Sequence, residues 1–337
     1  MKLRAYVLKS QTGIEALERV EMAAPVPARG QVAVRVVACS LNYRDLAIAT
    51  GQYRQPTKPS VIPLSDGAGE IIAIGPDVTR FKIGDRVAGC FFQNWSAGEP
   101  GSDVQNSALG GGRDGMLAEV VVLEEGGVLA MPAHMSFEEG ATLPCAALTA
   151  WHALVEHGHL MPGQTILVQG TGGVSMFALQ IARMAGAEVI ATSSSDEKLA
   201  RAKALGAHHL INYKTRPDWE KAAMEITGGR GVDQVVEVGG PGTFGKSLAA
   251  IRVGGRVSQI GVLAGMAEVN PAVILAKRAN VQGISVGSTR MFEAMARAFS
   301  LNGLKPVVDR VFAFDAAPDA YRHLRAGAHF GKVVIKI

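Results

Sequence analysis

Six consecutive residues, Gly170-Thr171-Gly172-Gly173-Val174-Ser175, have the types and the order needed to hold a phosphate. Before them, Thr165-Ile166-Leu167-Val168-Gln169 forms a short β-favouring run. After them, apolar residues recur at helical spacing from Val174 to Met184. A strand, a glycine turn and a helix start in that order make a cradle. The glycines let backbone approach a pyrophosphate, and the helix start offers N–H groups and the positive end of its dipole. A glycine cluster alone is weak evidence, but here both flanks agree. The first ligand class to consider is therefore a dinucleotide, held by Gly170, Gly172, Gly173 and Val174.

The next strand bears on which dinucleotide. An NAD site usually ends its second strand with Asp or Glu, which holds the ribose hydroxyls. Here that strand runs Val189-Ile190-Ala191-Thr192-Ser193-Ser194-Ser195, with Ser193 where the carboxylate is expected. A carboxylate there would repel a 2′-phosphate, whereas the hydroxyls of Ser193 and Ser194 accept one. Asp196 and Glu197 follow closely, and either turned inward would weaken that preference. Farther on, Val238-Gly239-Gly240 and Ile260-Gly261-Val262 end strands of the same texture. Strand C-termini at a topological switch point line the ligand crevice, so Gly239, Ile260, Gly261 and Val262 are expected to flank ribose and nicotinamide.

These residues need a scaffold. From about 150 the chain alternates apolar strands, at 165–169, 188–192, 209–212, 232–238, 255–261 and 281–286, with helical patterns. In one of them Ser195 is a natural N-cap, with Asp196 and Glu197 in the first turn. This texture predicts a doubly wound parallel sheet, the α/β class. Residues 1 to about 124 read instead as β-rich, with strands at 32–38, 69–75 and 118–123. Phe91 to Met116 is rich in Gly, Ser and Asn and reads as a long loop. The C-terminal stretch is mixed, with a helix from about Met291 and strands at 310–314 and 332–337. Too short to fold alone, it is expected to return to the N-terminal domain.

Composition narrows the function classes. The 337 residues suffice for two domains, with 48% hydrophobic and 19% charged residues as in a soluble globular protein. Net charge is +4, but Lys and Arg are scattered, which argues against a nucleic-acid tract. No run reaches the length of a membrane span, and the N-terminus has no signal-peptide pattern. Cys39, Cys90 and Cys145 are far apart, which fits a reducing compartment, with the cytoplasm as default.

Several motifs together resemble the medium-chain dehydrogenase/reductase superfamily over essentially the whole chain. They are Asn42-Tyr43-Arg44-Asp45, Ser65-Asp66-Gly67-Ala68-Gly69-Glu70, Phe81-Lys82-Ile83-Gly84-Asp85-Arg86-Val87, Leu143-Pro144-Cys145-Ala146-Ala147-Leu148-Thr149-Ala150-Trp151, the glycine turn, and His329-Phe330-Gly331-Lys332-Val333-Val334. The resemblance implies a GroES-like β-barrel catalytic domain, residues 1–124 completed by 289–337, and an inserted Rossmann domain, residues 125–288. It also implies cofactor contacts at Thr149, Val286 and Lys332, and a 2′-phosphate clamp at Lys198 and Tyr213. Lys198 otherwise reads as a solvated helix lysine and Tyr213 as a packing tyrosine. With Ser193, they point to NADPH (NADP+). Dimers of similar proteins join Rossmann sheets edge to edge, which makes Asn280 to Val286 the expected interface of a homodimer.

Zinc alcohol dehydrogenases of that superfamily place Cys, then His, then Cys or Asp on a catalytic metal. The matching positions here are Asn42, Ser65 and Cys145. Cys39 falls three residues early and reads as packing, and no cysteine between Cys90 and Cys145 supplies a structural zinc lobe. His157-Gly158-His159 has only Glu156 nearby and reads as two polar residues at a helix end. No metal is expected. Without a Lewis acid, simple alcohol oxidation is hard, whereas a conjugated acceptor spreads the developing charge and needs only a hydrogen-bond donor.

Donor candidates are Asn42 and Tyr53. Tyr53 matches a tyrosine that similar enoyl reductases use to protonate or orient substrate, and it reads equally as packing at a barrel rim. Phe91, Phe92 and Trp95 are either pocket wall or core. The leading expectation is an NADPH-dependent oxidoreductase acting on a quinone or enone. The alternatives are alcohol or aldehyde interconversion and a non-catalytic NADPH-binding sensor or structural protein.

Overall fold

The computed structural model describes residues 2–262, 268 and 270–337. They divide into two compact units, Met1–Leu148 with Val286–Ile337, and Thr149–Ser285.

In the first unit, β1 (Lys2–Leu8) and β2 (Leu17–Ala23) form an antiparallel pair. A larger sheet contains β3 (Gln31–Ser40), β4 (Asp66–Ile74), β5 (Arg86–Gly89), β6 (Val120–Glu124) and β7 (Val128–Ala130). Lys332–Lys336 and Val308–Ala313 join it from the far end of the chain. The central strand, β3, pairs with β4 from Val32↔Ile74 to Ser40↔Asp66. The same strand pairs with β6 at one end and with Lys332–Lys336 at the other, where Val334 faces Ser40. Alternation puts Val32, Val34 and Val36 in the core with Ile71, Val87 and Leu123. The glycines of the Ser65–Glu70 motif have a packing reason. A Cβ on Gly69 would lie 2.1 Å from the Arg35 carbonyl oxygen, so only glycine lets β4 approach β3 there.

In the second unit, six parallel strands are ordered β10-β9-β8-β11-β12-β13. They are β8 (Thr165–Gln169), β9 (Glu188–Ser193), β10 (His209–Asn212), β11 (Val232–Glu237), β12 (Ile251–Gln259) and β13 (Asn280–Gly283). The chain winds outward from β8 in one direction and returns to start again at β11. The switch point therefore lies between β8 and β11. Every residue of β8 and β11 is buried, as strands covered on both faces must be. Ser195 caps the helix Asp196–Ala204 as expected, accepting from the Lys198 N–H.

Three readings shift. The first unit extends to residue 148 rather than 124, because β7 pairs with β5 and the Cys145 N–H donates to Asp66. It resumes at 286 rather than 289, and the strand expected to reach 286 ends at Gly283, with Val286 at φ +51° in the left-handed region. The segment 91–116 is the long loop expected, with Phe91, Phe92, Trp95, Val104 and Leu109 buried in it around a helical turn at Val104–Ser107. Among the described residues, no helix is long and apolar enough to cross a membrane.

Candidate active site

The glycine turn closes β8 onto the helix Gly173–Met184. Gly170 has φ +68°, and a side chain there would point into open space. Gly172 is the N-cap and supplies no side-chain hydrogen bond, so backbone N–H groups of the first turn are left for an anion. Ser175, at the position usually held by a small packing residue, donates to the Gln169 carbonyl at 2.6 Å and ties the helix to its strand. A cleft of about 330 Å3 opens beside the turn, lined by Gln169, Gly170, Thr192, Tyr213, Pro217, Trp219, Val238, Gly239, Thr243 and Lys246. These residues lie at or after the C-terminal ends of β8, β9, β10 and β11, so the cleft stands at the switch point.

A buried carboxylate organises its far wall. Glu237 Oε1 accepts from the N–H groups of Gly239 (2.8 Å) and Gly240 (2.9 Å) and from the Thr243 hydroxyl (2.6 Å). Its Oε2 accepts from Gln169 Nε2 at 2.8 Å and from the Ser247 hydroxyl. The ends of β8 and β11 are thus bonded together under the cleft.

In the first unit a second polar cluster is almost wholly buried. The Lys332 ammonium donates to Asn42 Oδ1 at 2.6 Å and to the Leu41 carbonyl at 2.7 Å, and lies 3.6 Å from Asp66 Oδ2. Asp66 also accepts from the Ser65 hydroxyl (2.7 Å), the Ser40 hydroxyl (3.3 Å) and the Cys145 N–H (3.3 Å). Asn42 Nδ2 donates to Ser65 Oγ at 3.5 Å. Leu64, immediately before Ser65, has φ +69°, a costly conformation for a non-glycine residue that turns the Ser65–Asp66 pair into the cluster. Burial pushes the Cys145 thiol up, helped by Asp66 and opposed by Lys332, so it stays protonated at neutral pH.

Asn42 begins the helix Tyr43–Ala49, its N–H donating to Asp45 Oδ2 at 2.7 Å. Tyr53 lies beyond the other end. Its phenol oxygen accepts from Arg44 Nε at 3.5 Å, and the guanidinium sits 5.1 Å from the Tyr53 ring and 4.6 Å from that of Phe91. Arg44 Nη1 donates to the Leu109 carbonyl at 2.9 Å.

The comparisons agree with this architecture. Residues 28–133 match the model of the alcohol dehydrogenase GroES-like domain, and residues 173–300 that of the zinc-binding dehydrogenase. A zinc-type alcohol dehydrogenase-like protein of Schizosaccharomyces pombe is 45% identical, covering 100% of both chains. The chain belongs to the medium-chain dehydrogenase/reductase superfamily. A solved NAD-dependent alcohol dehydrogenase is 35% identical with TM-score 0.90, over 99% of each chain. A solved quinone oxidoreductase of Pseudomonas syringae pv. Tomato DC3000 is 30% identical with TM-score 0.84, over 99% of this chain and 100% of that one.

As a medium-chain dehydrogenase/reductase, the protein is an oxidoreductase using a nicotinamide cofactor and a small-molecule substrate. Of the residues expected at the cofactor, Gly170, Tyr213 and Gly239 line the cleft, with Gly172, Gly173 and Val174 at the adjoining helix start. At the end of β9, Thr192 lines the cleft, while Ser193 is buried and its hydroxyl accepts from the Ser195 N–H. Ser194 and Lys198 are half-buried beside it. Asp196 does not turn inward: it is exposed and accepts from Asn212 Nδ2 at 2.7 Å. The N–H groups of Ile260 and Gly261 reach the Glu237 carbonyl, and Val262 is exposed. Thr149 is buried at the start of the second unit, and Val286 is buried where the chain re-enters the first. Lys332 belongs to the Asn42 cluster.

Phe91, Phe92 and Trp95 pack on one another in the core. Asn42 and Tyr53 stand at opposite ends of one helix, partnered by Lys332 and Arg44 respectively. Sequence reasoning missed Lys246 and Glu237. Lys246 sits within the helix Pro241–Ala250 with no local signal, while the buried carboxylate just before Val238-Gly239-Gly240 was legible as a strand-end residue. Among the described residues no group of three or more His, Cys, Asp or Glu is placed to hold a metal ion.

Proposed function

We propose that this oxidoreductase transfers a hydride from NADPH to a quinone or α,β-unsaturated carbonyl without a metal ion. The observation that carries the reading is the Lys332 ammonium on Asn42 Oδ1, 3.6 Å from Asp66, among the residues that match zinc-ligand positions. A single cysteine, a hydroxyl and an amide whose oxygen is already taken by a cation do not fit zinc, which needs several anionic or imidazole ligands. When bound, NADPH supplies the hydride. The glycine turn, the start of the helix Gly173–Met184 and the cleft beside Tyr213 fit its phosphates. The absence of a carboxylate at the end of β9 and the outward-turned Asp196 favour the 2′-phosphate. On an enone, hydride adds at the β-carbon, the electron pair moves to the carbonyl oxygen, and a proton then restores the neutral product. Asn42 Nδ2, as a hydrogen bond, and the Tyr53 phenol, as a hydrogen bond or the source of the proton, are the alternative neutral donors to that oxygen.

The test follows NADPH and NADH consumption side by side with quinones, enones and aldehydes, together with zinc analysis of the purified protein. The expected outcome is NADPH-preferring reduction of quinones or enones by zinc-free protein, with Ser193→Asp moving the preference toward NADH. Strong NADH preference in the unaltered protein would overturn the cofactor assignment. The names of two relatives, zinc-type alcohol dehydrogenase-like and NAD-dependent alcohol dehydrogenase, favour a second reading. Stoichiometric zinc with alcohol oxidation would establish it. Tight NADPH binding with no turnover of any acceptor would reject both.

A further inference from the structure

We propose that Lys332 is a positioning residue that decides which end of the Asn42 amide meets the substrate. The inference rests on the metal-free reading above and deepens it. An amide side chain has an acceptor oxygen and a donor nitrogen, and a half-turn exchanges them. An ammonium only donates, so it tolerates one of the two arrangements. With Lys332 Nζ 2.6 Å from Oδ1, a flipped amide would set donor against donor. The oxygen is held on the ammonium and Nδ2 is turned toward Ser65.

The neighbours reinforce that choice. Ser65 gives its own proton to Asp66 at 2.7 Å, so toward Asn42 it can only accept, as it does at 3.5 Å. Nδ2 carries two hydrogens and Ser65 takes one. The ammonium is also held by the Leu41 carbonyl and by Asp66. Ser40, Ser65 and Asp66 are fully buried, whereas Asn42 retains 9% exposure. Asn42 is thus where the buried cation communicates with the surface. An amide whose oxygen is bonded to a cation is a stronger donor at its nitrogen. The site thereby offers a fixed, polarised N–H where a hydride acceptor's oxygen gains charge, without any metal.

Two variants and one spectrum test this, with 2-cyclohexenone and NADPH as probes. Asn42→Asp keeps the Lys332 contact but replaces the donor by an acceptor. It is expected to fold, bind NADPH within about twofold of wild type by fluorescence titration, and lose about 100-fold in kcat. The paired variant Lys332→Met with Asp66→Asn removes both buried charges at once and frees the amide. Its kcat should fall about 10-fold, with KM for NADPH unchanged. In 15N-edited spectra, the Asn42 side-chain amide, identified by its loss in Asn42→Asp, should move in the paired variant. Wild-type kcat in either folded variant, or an unmoved amide signal, overturns the proposal. Should the paired variant not fold, Asn42→Asp decides alone. If wild-type protein reduces no acceptor, the functional reading fails, and the amide spectrum still decides the orientation.

Discussion

Asp45 shows what burial does to a carboxylate that looks ordinary in sequence. Burial raises its pKa from 3.8 to about 6, against the opposing pull of Arg44 and the Asn42 N–H. The folded state therefore binds this proton more tightly than the unfolded chain does. Stability is greatest from this group at low pH, falls as pH rises from about 4 to about 6, and its cost is complete above that. Asp45→Asn is expected to flatten that part of the stability profile, as read from thermal melts between pH 4 and 7. An unchanged slope would place the titration elsewhere. At this scale the sequence offered Asn42 and Tyr53 as donor candidates, because residue type states what a side chain can give. It did not identify their partners. Arg44 lies within the Asn42–Asp45 motif and nine residues before Tyr53, yet its hold on the Tyr53 phenol and its place against Phe91 depend on how separate segments pack.

Elements were the most legible scale. β8, the glycine turn, the following helix and the Ser195 cap all lie where local periodicity and capping place them, because these preferences act over a few residues. Glu237 is an exception. Five donors converge on it from β8, the turn after β11 and the helix Pro241–Ala250, so it holds elements together that sequence reasoning treated separately. Glu237→Gln puts an NH2 group among those donors. A loss of about 2–4 kcal/mol in chemical denaturation is expected, because buried donors are left unmatched. NADPH affinity should fall with it, since Gly239 lines the cleft. Unchanged denaturation would mean that the network tolerates a lost acceptor.

For the whole molecule, the sheet of the second unit ends at β13, whose residues are largely exposed. A strand edge of this kind invites pairing with another strand. We expect a homodimer formed through β13, with light scattering giving twice the 35.3 kDa chain mass. Val281→Pro, which removes an N–H from that edge, should yield folded monomers. A monomeric wild-type protein would refute the edge as an interface. The alternation of textures along the chain already separated the two units. By itself the sequence offered the glycine turn as a phosphate cradle and a strand that ends without a carboxylate. Each follows from residue type and short-range spacing. Only the tertiary structure decided that Lys332 belongs to Asn42. The two lie 290 residues apart, and the pairing of Val334 with Ser40 brings them together. Local preference fixes a turn or a cap, but a buried cation finds its acceptors only after distant strands have set their register.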